Sequence, residues 1–332
     1  MTIRTAQHKL LGISDLRPLG PARVNPRSAE VDEIAEDQCR RLGIWHPTYP
    51  HYTTMCYFLY PRASVEHLVP ITVFHNLLFY LDEVFTSPGE EALTPATTAA
   101  AALMEDALEL FCRGVGGASD RKVHQACREL RTTILGMSPG APWFARLSGA
   151  LRSHLRAATD PLDTVITDGV VDLDKFIAAR GSDGGMYTTV EFIEFADGYV
   201  LPDSLLHDPD IDGLRRCTIL IGALMNDIFS YHKEVVVGGT RFNLINVISE
   251  RESCGFTEAA HLAVTQVNAL SDSYTRLAER VTATYRGTAH ARTVDSYLAA
   301  LLEQNSATYH WQWSTNRYRS PDQVFPELRG ML

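Results

Sequence analysis

Hydrophobic residues return at three- and four-residue intervals along most of the chain, the period of a helix with one buried face. This pattern predicts helices over Leu68–Phe85, Pro95–Phe111, Val123–Leu135, Ile211–Tyr231, Ala259–Tyr285 and Ala291–Trp313. Upstream, Asn25-Pro26 followed by Ser28 marks a helix start, with Glu30 and Asp32 in its early turns. Residues 1–24 mix Gly, Pro and Arg without a sustained period and are expected to form a loose N-terminal arm. Strand signals are weak. Val235-Val236-Val237-Gly238-Gly239 is β-branched, but it follows a helix and ends in two glycines, so a loop is expected there. Gly114–Ser119 and Ser138–Pro142 look like interhelical turns. With no repeat and no composition break, residues 25–332 are predicted to be one all-α domain.

Composition narrows the partners. A formal net charge of −10 argues against nucleic acid, whose phosphates select basic surfaces. A phosphorylated small molecule stays open, because acidic residues can recruit the metals that bridge to it. Cysteines 39, 56, 112, 127, 217 and 254 are dispersed, with no CxxC pair or zinc spacing, as expected of buried thiols in a reducing compartment. No apolar run follows Arg4 and Lys9 as a signal peptide would require, and charges interrupt every stretch before it reaches membrane-span length. The expectation is a soluble cytoplasmic protein with no membrane span.

Chemistry concentrates at the end of the Ile211–Tyr231 helix. Residues four apart share a helix face, about 6 Å apart along the axis. Asn226, Ser230 and Glu234 stand at that spacing and offer an amide carbonyl, a hydroxyl and a carboxylate. All are hard oxygen donors suited to Mg2+. The run before them, Cys217–Met225, is strongly apolar, and polar groups at the end of a buried helix are costly unless something satisfies them. The whole pattern, Asn226-Asp227-Ile228-Phe229-Ser230-Tyr231-His232-Lys233-Glu234, resembles the metal-binding triad of class I terpene synthases, and Asn243-Leu244-Ile245-Asn246-Val247 resembles its continuation. The resemblance implies that Asn226, Ser230 and Glu234 hold one Mg2+ and that Lys233 contacts a substrate diphosphate.

A second acidic element closes the Leu68–Phe85 helix, where Asp82 and Glu83 are adjacent carboxylates in an apolar context that asks for a cation. It resembles the D-D-x-x-D motif of the family, with Glu83 in place of the second Asp and Thr86 where a last acid is common. The resemblance makes Asp82 the ligand of the remaining ions of a trinuclear cluster, with Glu83 a further candidate and Glu90 or Glu91 weaker ones. Arg180 lies 46 positions before Asn226, and Arg180-Gly181-Ser182-Asp183-Gly184-Gly185 is expected to interrupt a helix. In the family an arginine at this separation senses diphosphate, followed by a linker acid and an effector residue, which here fall on Asp183 and Gly184. Arg317-Tyr318 resembles the family's Arg-Tyr pair, a planar donor fork and a hydroxyl for phosphate oxygens.

Other signals are declined. Asp208-Pro209-Asp210-Ile211-Asp212-Gly213 lacks the distal Glu of an EF-hand and is an acidic helix start, and Asp172-Leu173-Asp174-Lys175 lacks the D-x-D-D pattern of protonation-initiated cyclases. The resemblance therefore implies a class I α-helical bundle around a central active-site cavity. It implies Mg2+-dependent ionisation of a linear isoprenoid diphosphate, followed by carbocation cyclisation and pyrophosphate release. A general resemblance to bacterial diterpene cyclases favours geranylgeranyl over farnesyl diphosphate. Phe79, Phe195, Trp311 and Trp313 are candidate cation-stabilising rings. The alternatives are a chain-elongating isoprenyl diphosphate synthase, which should carry a second D-D-x-x-D, and a non-catalytic helical binding protein. A monomer and a homodimer are both compatible with the sequence.

Overall fold

Each long periodic segment becomes a helix whose ends fall where the local chemistry stops it. The computed structural model describes residues 10–85, 95–116, 121–159, 166–167, 170–183 and 185–330. Among them the chain forms α1 (Ser28–Leu42), α2 (Thr54–Leu59), α3 (Val65–Phe85), α4 (Pro95–Arg113), α5 (Lys122–Met137), α6 (Ala141–Thr159), α7 (Leu173–Asp183), α8 (Met186–Asp197), α9 (Asp203–Leu206), α10 (Pro209–Tyr231), α11 (Leu244–Glu252), α12 (Phe256–Tyr285) and α13 (Ala291–Ser314). The all-α expectation holds apart from a minimal antiparallel hairpin, β1 (Ile166–Thr167) with β2 (Val170–Val171). The declined acidic segments prove to be caps. Asp208 accepts from the N–H groups of Asp210 and Ile211 at the start of α10, where Pro209 needs no partner, and Asp172 does the same for Asp174 and Lys175 before α7.

Two buried clusters share the interior. One gathers α7, α10, α11, α12 and α13. The other gathers α1 to α6. Helix α8 serves both, giving Val190 and Ile193 to the first and Phe192 and Phe195 to the second. It is buried on nearly every side, Glu191 and Glu194 included. Buried carboxylates need charged partners, and two arginines supply them. Arg146 of α6 reaches both acids, and Arg215 of α10 reaches Glu191 and donates to the Tyr297 hydroxyl at 2.6 Å. The Leu201 N–H donates to Glu194 at 2.8 Å. Burial still holds the Glu194 carboxyl above the usual carboxylate range, against the pull of the Leu201 N–H and Arg146. Helix α3 is likewise buried around its circumference, from Leu68 to Leu77.

Two expectations are corrected and a third is sharpened. Residues 10–24 are not a loose arm: Ile13 is fully buried, the Leu11 N–H donates to His261 Nδ1, and Asn268 exchanges hydrogen bonds with Arg17 N–H and the Asp15 carbonyl. Ser306 and His310 of α13 hold the Gly20 carbonyl. The segment has no helical period because it is a strap, whose backbone groups are satisfied by side chains of α12 and α13. The interruption expected within Arg180–Gly185 falls at its C-terminal end: α7 runs through Gly181 and Ser182 to Asp183, and α8 starts after Gly185, whose φ of +69° suits glycine. Finally, Val235–Val237 is not a loop. The chain leaves α10 as a π-helical turn, His232–Val237, closed by the Gly238 N–H to Lys233 O at 3.0 Å. A Cβ on Gly238 would stand 2.7 Å from the Glu234 carbonyl oxygen, so glycine lets this turn close.

Candidate active site

The C-terminal half of α10 is apolar except for the groups of the predicted triad and Asp227. Asp227 is fully buried, its carboxylate accepting from Arg180 Nε at 2.6 Å and from the Leu244 N–H at 2.9 Å. Burial pushes its carboxyl up to about 7; Arg180 and the Leu244 N–H oppose this, while the nearby Glu234 charge adds to it. The pair thus ties the end of α7 to α10 and to the first turn of α11. Asn243 completes the tie. It caps α11 by accepting from the Ile245 N–H, and its amide donates to the Asp227 carbonyl at 2.8 Å and to Glu234 at 3.4 Å.

Arg180 also donates to Asn226 Oδ1 at 3.1 Å, across the 46-residue separation noted in the sequence. An arginine has no acceptor, so this contact fixes the amide orientation: Oδ1 faces Arg180 and Nδ2 donates to the Tyr318 hydroxyl at 2.7 Å. Tyr318 is buried, with the Arg317 guanidinium beside it; burial raises its phenol, while Arg317 and Asn226 pull it down. Its oxygen accepts from Asn226, which leaves the phenolic hydrogen to be donated elsewhere. The structure therefore brings Arg180, Asn226, Arg317 and Tyr318 together from α7, α10 and the turn after α13.

Ser230 Oγ is buried and makes no hydrogen bond. A hydroxyl in that state is costly, and a bound cation one turn from Asn226 would satisfy it. Glu234 and Lys233 follow on the π-helical turn, both partly buried. Amide, hydroxyl and carboxylate oxygens along one helix end suit a hard divalent ion. Helix α3 carries Asp82 and Glu83 in its last turn, but their side chains lie outside the described residues, as does that of Asp183; so do Gly184, Thr86, Glu90 and Glu91 altogether.

The four candidate rings separate. Phe195 stacks on Trp143 at 5.4 Å in the second buried cluster, away from these groups. Trp311 is buried with its N–H on Thr54 Oγ1. Trp313 meets Phe229 edge-on at 5.2 Å, and Phe229 lies 6.2 Å from Tyr318. Phe79 stacks on Tyr52 at 4.4 Å with the Arg317 guanidinium over the pair. Asp227 and Asn243 stand in the sequence patterns without an assigned role, and the structure makes them the bracing members of the site. A lone carboxylate inside the apolar run from Cys217 to Phe229 was their available signal, since such a group must be answered by a cation.

The family model described as terpene synthase family 2, C-terminal metal binding, matches residues 74–273. That span holds Asp82, Arg180 and the whole triad. The chain belongs to this terpene synthase family. It is 27% identical over 223 residues to bonnadiene synthase of Allokutzneria albata, an alignment covering 61% of each chain. It is 30% identical over 154 residues to a (+)-T-muurolol synthase of Streptomyces clavuligerus, covering 46% of this chain and 36% of that protein. Its match thus spans less than two thirds of the length of either relative. Among solved structures, a-eudesmol synthase superposes with a TM-score of 0.77 over 90% of this chain and 98% of that one, at 18% identity. That likeness is one of fold: the terpene synthase helical architecture. Metal use by this family is divalent-cation use, and the donor set on α10 is of that kind. Among the described residues, no helix is long and apolar enough to cross a membrane.

Proposed function

We propose that the protein is a class I terpene cyclase that ionises a linear isoprenoid diphosphate and cyclises the resulting allylic cation, releasing pyrophosphate. The observation that carries this is the array in which Arg180, Asn226 and Tyr318 are hydrogen-bonded in series beside the unpartnered Ser230 hydroxyl. Asn226, Ser230 and Glu234 would hold one Mg2+ and Asp82, with Glu83 beside it, the others of a three-ion set. When bound, the ions neutralise charge developing on the departing diphosphate. The protein's own work is positional. Arg180, kept in place by Asp227, presents donors to the diphosphate, as do Lys233, Arg317 and the phenolic hydrogen of Tyr318. Asp183, the last residue of α7, and Gly184, which follows it, would link the Arg180 position to the ionising end of the substrate. Residues from 25 onward, with the strap of residues 10–24 packed on them, would form the catalytic α domain, acting in the cytoplasm as a monomer or homodimer without a nucleic-acid partner.

Both farnesyl and geranylgeranyl diphosphate fit this chemistry. Sequence resemblance favours the longer substrate, whereas the (+)-T-muurolol synthase relative is by name a (2E,6E)-farnesyl diphosphate cyclase. Feeding each separately with Mg2+ and analysing extracts by gas chromatography decides between them, and adding isopentenyl diphosphate tests for chain elongation. Asn226→Ala and Glu234→Ala should each abolish pyrophosphate release. Turnover near wild type in either variant would refute the assignment.

A further inference from the structure

Among the described residues, Arg317 meets, besides its polar neighbour Tyr318, an aromatic platform that Arg180 lacks. Arg180 is anchored through Nε to a carboxylate, which consumes a donor. Arg317 Cζ lies over two aromatic rings, 5.2 Å from the Phe79 centroid and 5.9 Å from that of Tyr52. Those rings are stacked at 4.4 Å with 17° between their planes. Contact with a π face draws on none of the N–H donors, which radiate in the guanidinium plane. The rings therefore orient the cation without competing for its edge.

The platform is itself braced. Tyr52 is fully buried, and its hydroxyl accepts from Thr48 Oγ1 at 3.0 Å, which in turn lies 2.8 Å from His46 Nδ1. Phe79 is only partly buried and sits on α3 three residues before Asp82, so one turn of that helix carries both the ring and the acidic motif. From these contacts we propose that Phe79, backed by Tyr52, is a positioning residue for Arg317: it fixes the guanidinium at the diphosphate end of the site. This rests on the diphosphate-binding reading above. It assigns the Phe79 ring to the leaving-group end rather than to the carbocation, and makes α3 a contributor to diphosphate binding independent of its carboxylates.

The test is calorimetric titration of inorganic pyrophosphate in Mg2+ into the wild type, Phe79→Leu, Phe79→Tyr, Arg317→Ala and the Phe79→Leu/Arg317→Ala double variant, with thermal melts alongside. Phe79→Leu should weaken pyrophosphate binding about three- to tenfold, the scale of one cation–π contact. Phe79→Tyr should stay within about twofold of wild type, since the π face is kept. In the Arg317→Ala background the Leu substitution should have no further effect. Should Phe79→Leu melt below the assay temperature, Phe79→Met fills the same space without a ring and carries the same comparison. The proposal is overturned if Phe79→Leu changes the hydrocarbon products while leaving pyrophosphate affinity intact. It is overturned equally if the loss persists undiminished without Arg317. A wild type that binds no pyrophosphate in Mg2+ would refute the underlying functional reading, an outcome distinct from either.

Discussion

Replacing Asp227 with alanine exposes how much of the site's geometry depends on one buried pair. In the folded protein its carboxylate is inaccessible to water and answers two donors, Arg180 Nε at 2.6 Å and the Leu244 N–H at 2.9 Å. Asp227→Ala leaves the Arg180 cation buried beside an apolar methyl and strands the Leu244 N–H. Breaking a buried pair from one side costs about 3–5 kcal/mol, and an orphaned backbone donor about 1–3 kcal/mol. The two losses overlap, because relaxation that rehydrates one rehydrates the other, so about 3–5 kcal/mol in total is expected. That is a large part of the roughly 5–15 kcal/mol typical of folded domains. Urea unfolding followed by circular dichroism measures it as a fall in midpoint at constant slope. The double variant Arg180→Met/Asp227→Leu should recover much of that stability, since both charges go together, yet release no pyrophosphate. A loss below about 1 kcal/mol for Asp227→Ala would refute the reasoning, since it would mean water reaches Arg180 freely.

Other consequences follow from particular groups. His75, buried on α3 with its ring N–H on the Ile71 carbonyl, has its pKa lowered by burial from 6.5 to about 4. Because the unfolded chain takes the proton first, this residue costs no stability above pH 6.5 and progressively more as pH falls to 4. The full loss is about 3 kcal/mol, and His75→Gln should flatten that part of the stability–pH curve. Gly238→Ala should push the π-helical turn off Glu234, raising the Mg2+ concentration needed for pyrophosphate release while costing about 1–3 kcal/mol of stability; an unchanged Mg2+ titration would show that the turn does not place Glu234. Burial pushes the thiols of Cys39, Cys56 and Cys127 up to about 12, so in mildly alkaline buffer a thiol reagent should modify the partly exposed Cys217 and Cys254 first and these three only on unfolding.

What could be read from the sequence was what repeats or clusters. Helix α10 was legible from its apolar period, and the triad at its end from its resemblance to the family's metal-binding pattern. The Arg180 position was legible through the family's arginine at that separation from Asn226; that Arg180 is the cation answering Asp227 was not, since nothing in the sequence pairs the two. Helix α8 had no readable face: Thr188 to Ala196 are all buried, so no polar stripe marks a period. Its two glutamates resembled surface residues, and only the arrival of Arg146 and Arg215 from other helices makes them interior. The π-helical turn escaped for a different reason. Its β-branched run carries no periodic signal of its own, and its closure depends on the missing Cβ of Gly238, which also reads as a loop residue.

The strap formed by residues 10–24 bears on how the protein is made. Its partners, His261, Asn268, Ser306 and His310, come some 250–290 positions later in the chain. During synthesis this segment emerges well before its partners and waits, with Ile13 and Leu16 uncovered, until α12 and α13 have left the ribosome. Its docking is thus a late, non-local event, slow to nucleate because a loop of at least 250 residues must close. An expression host that translates slowly prolongs that exposure, and chaperone demand during production should track the length of chain still to come rather than the stability of the finished enzyme.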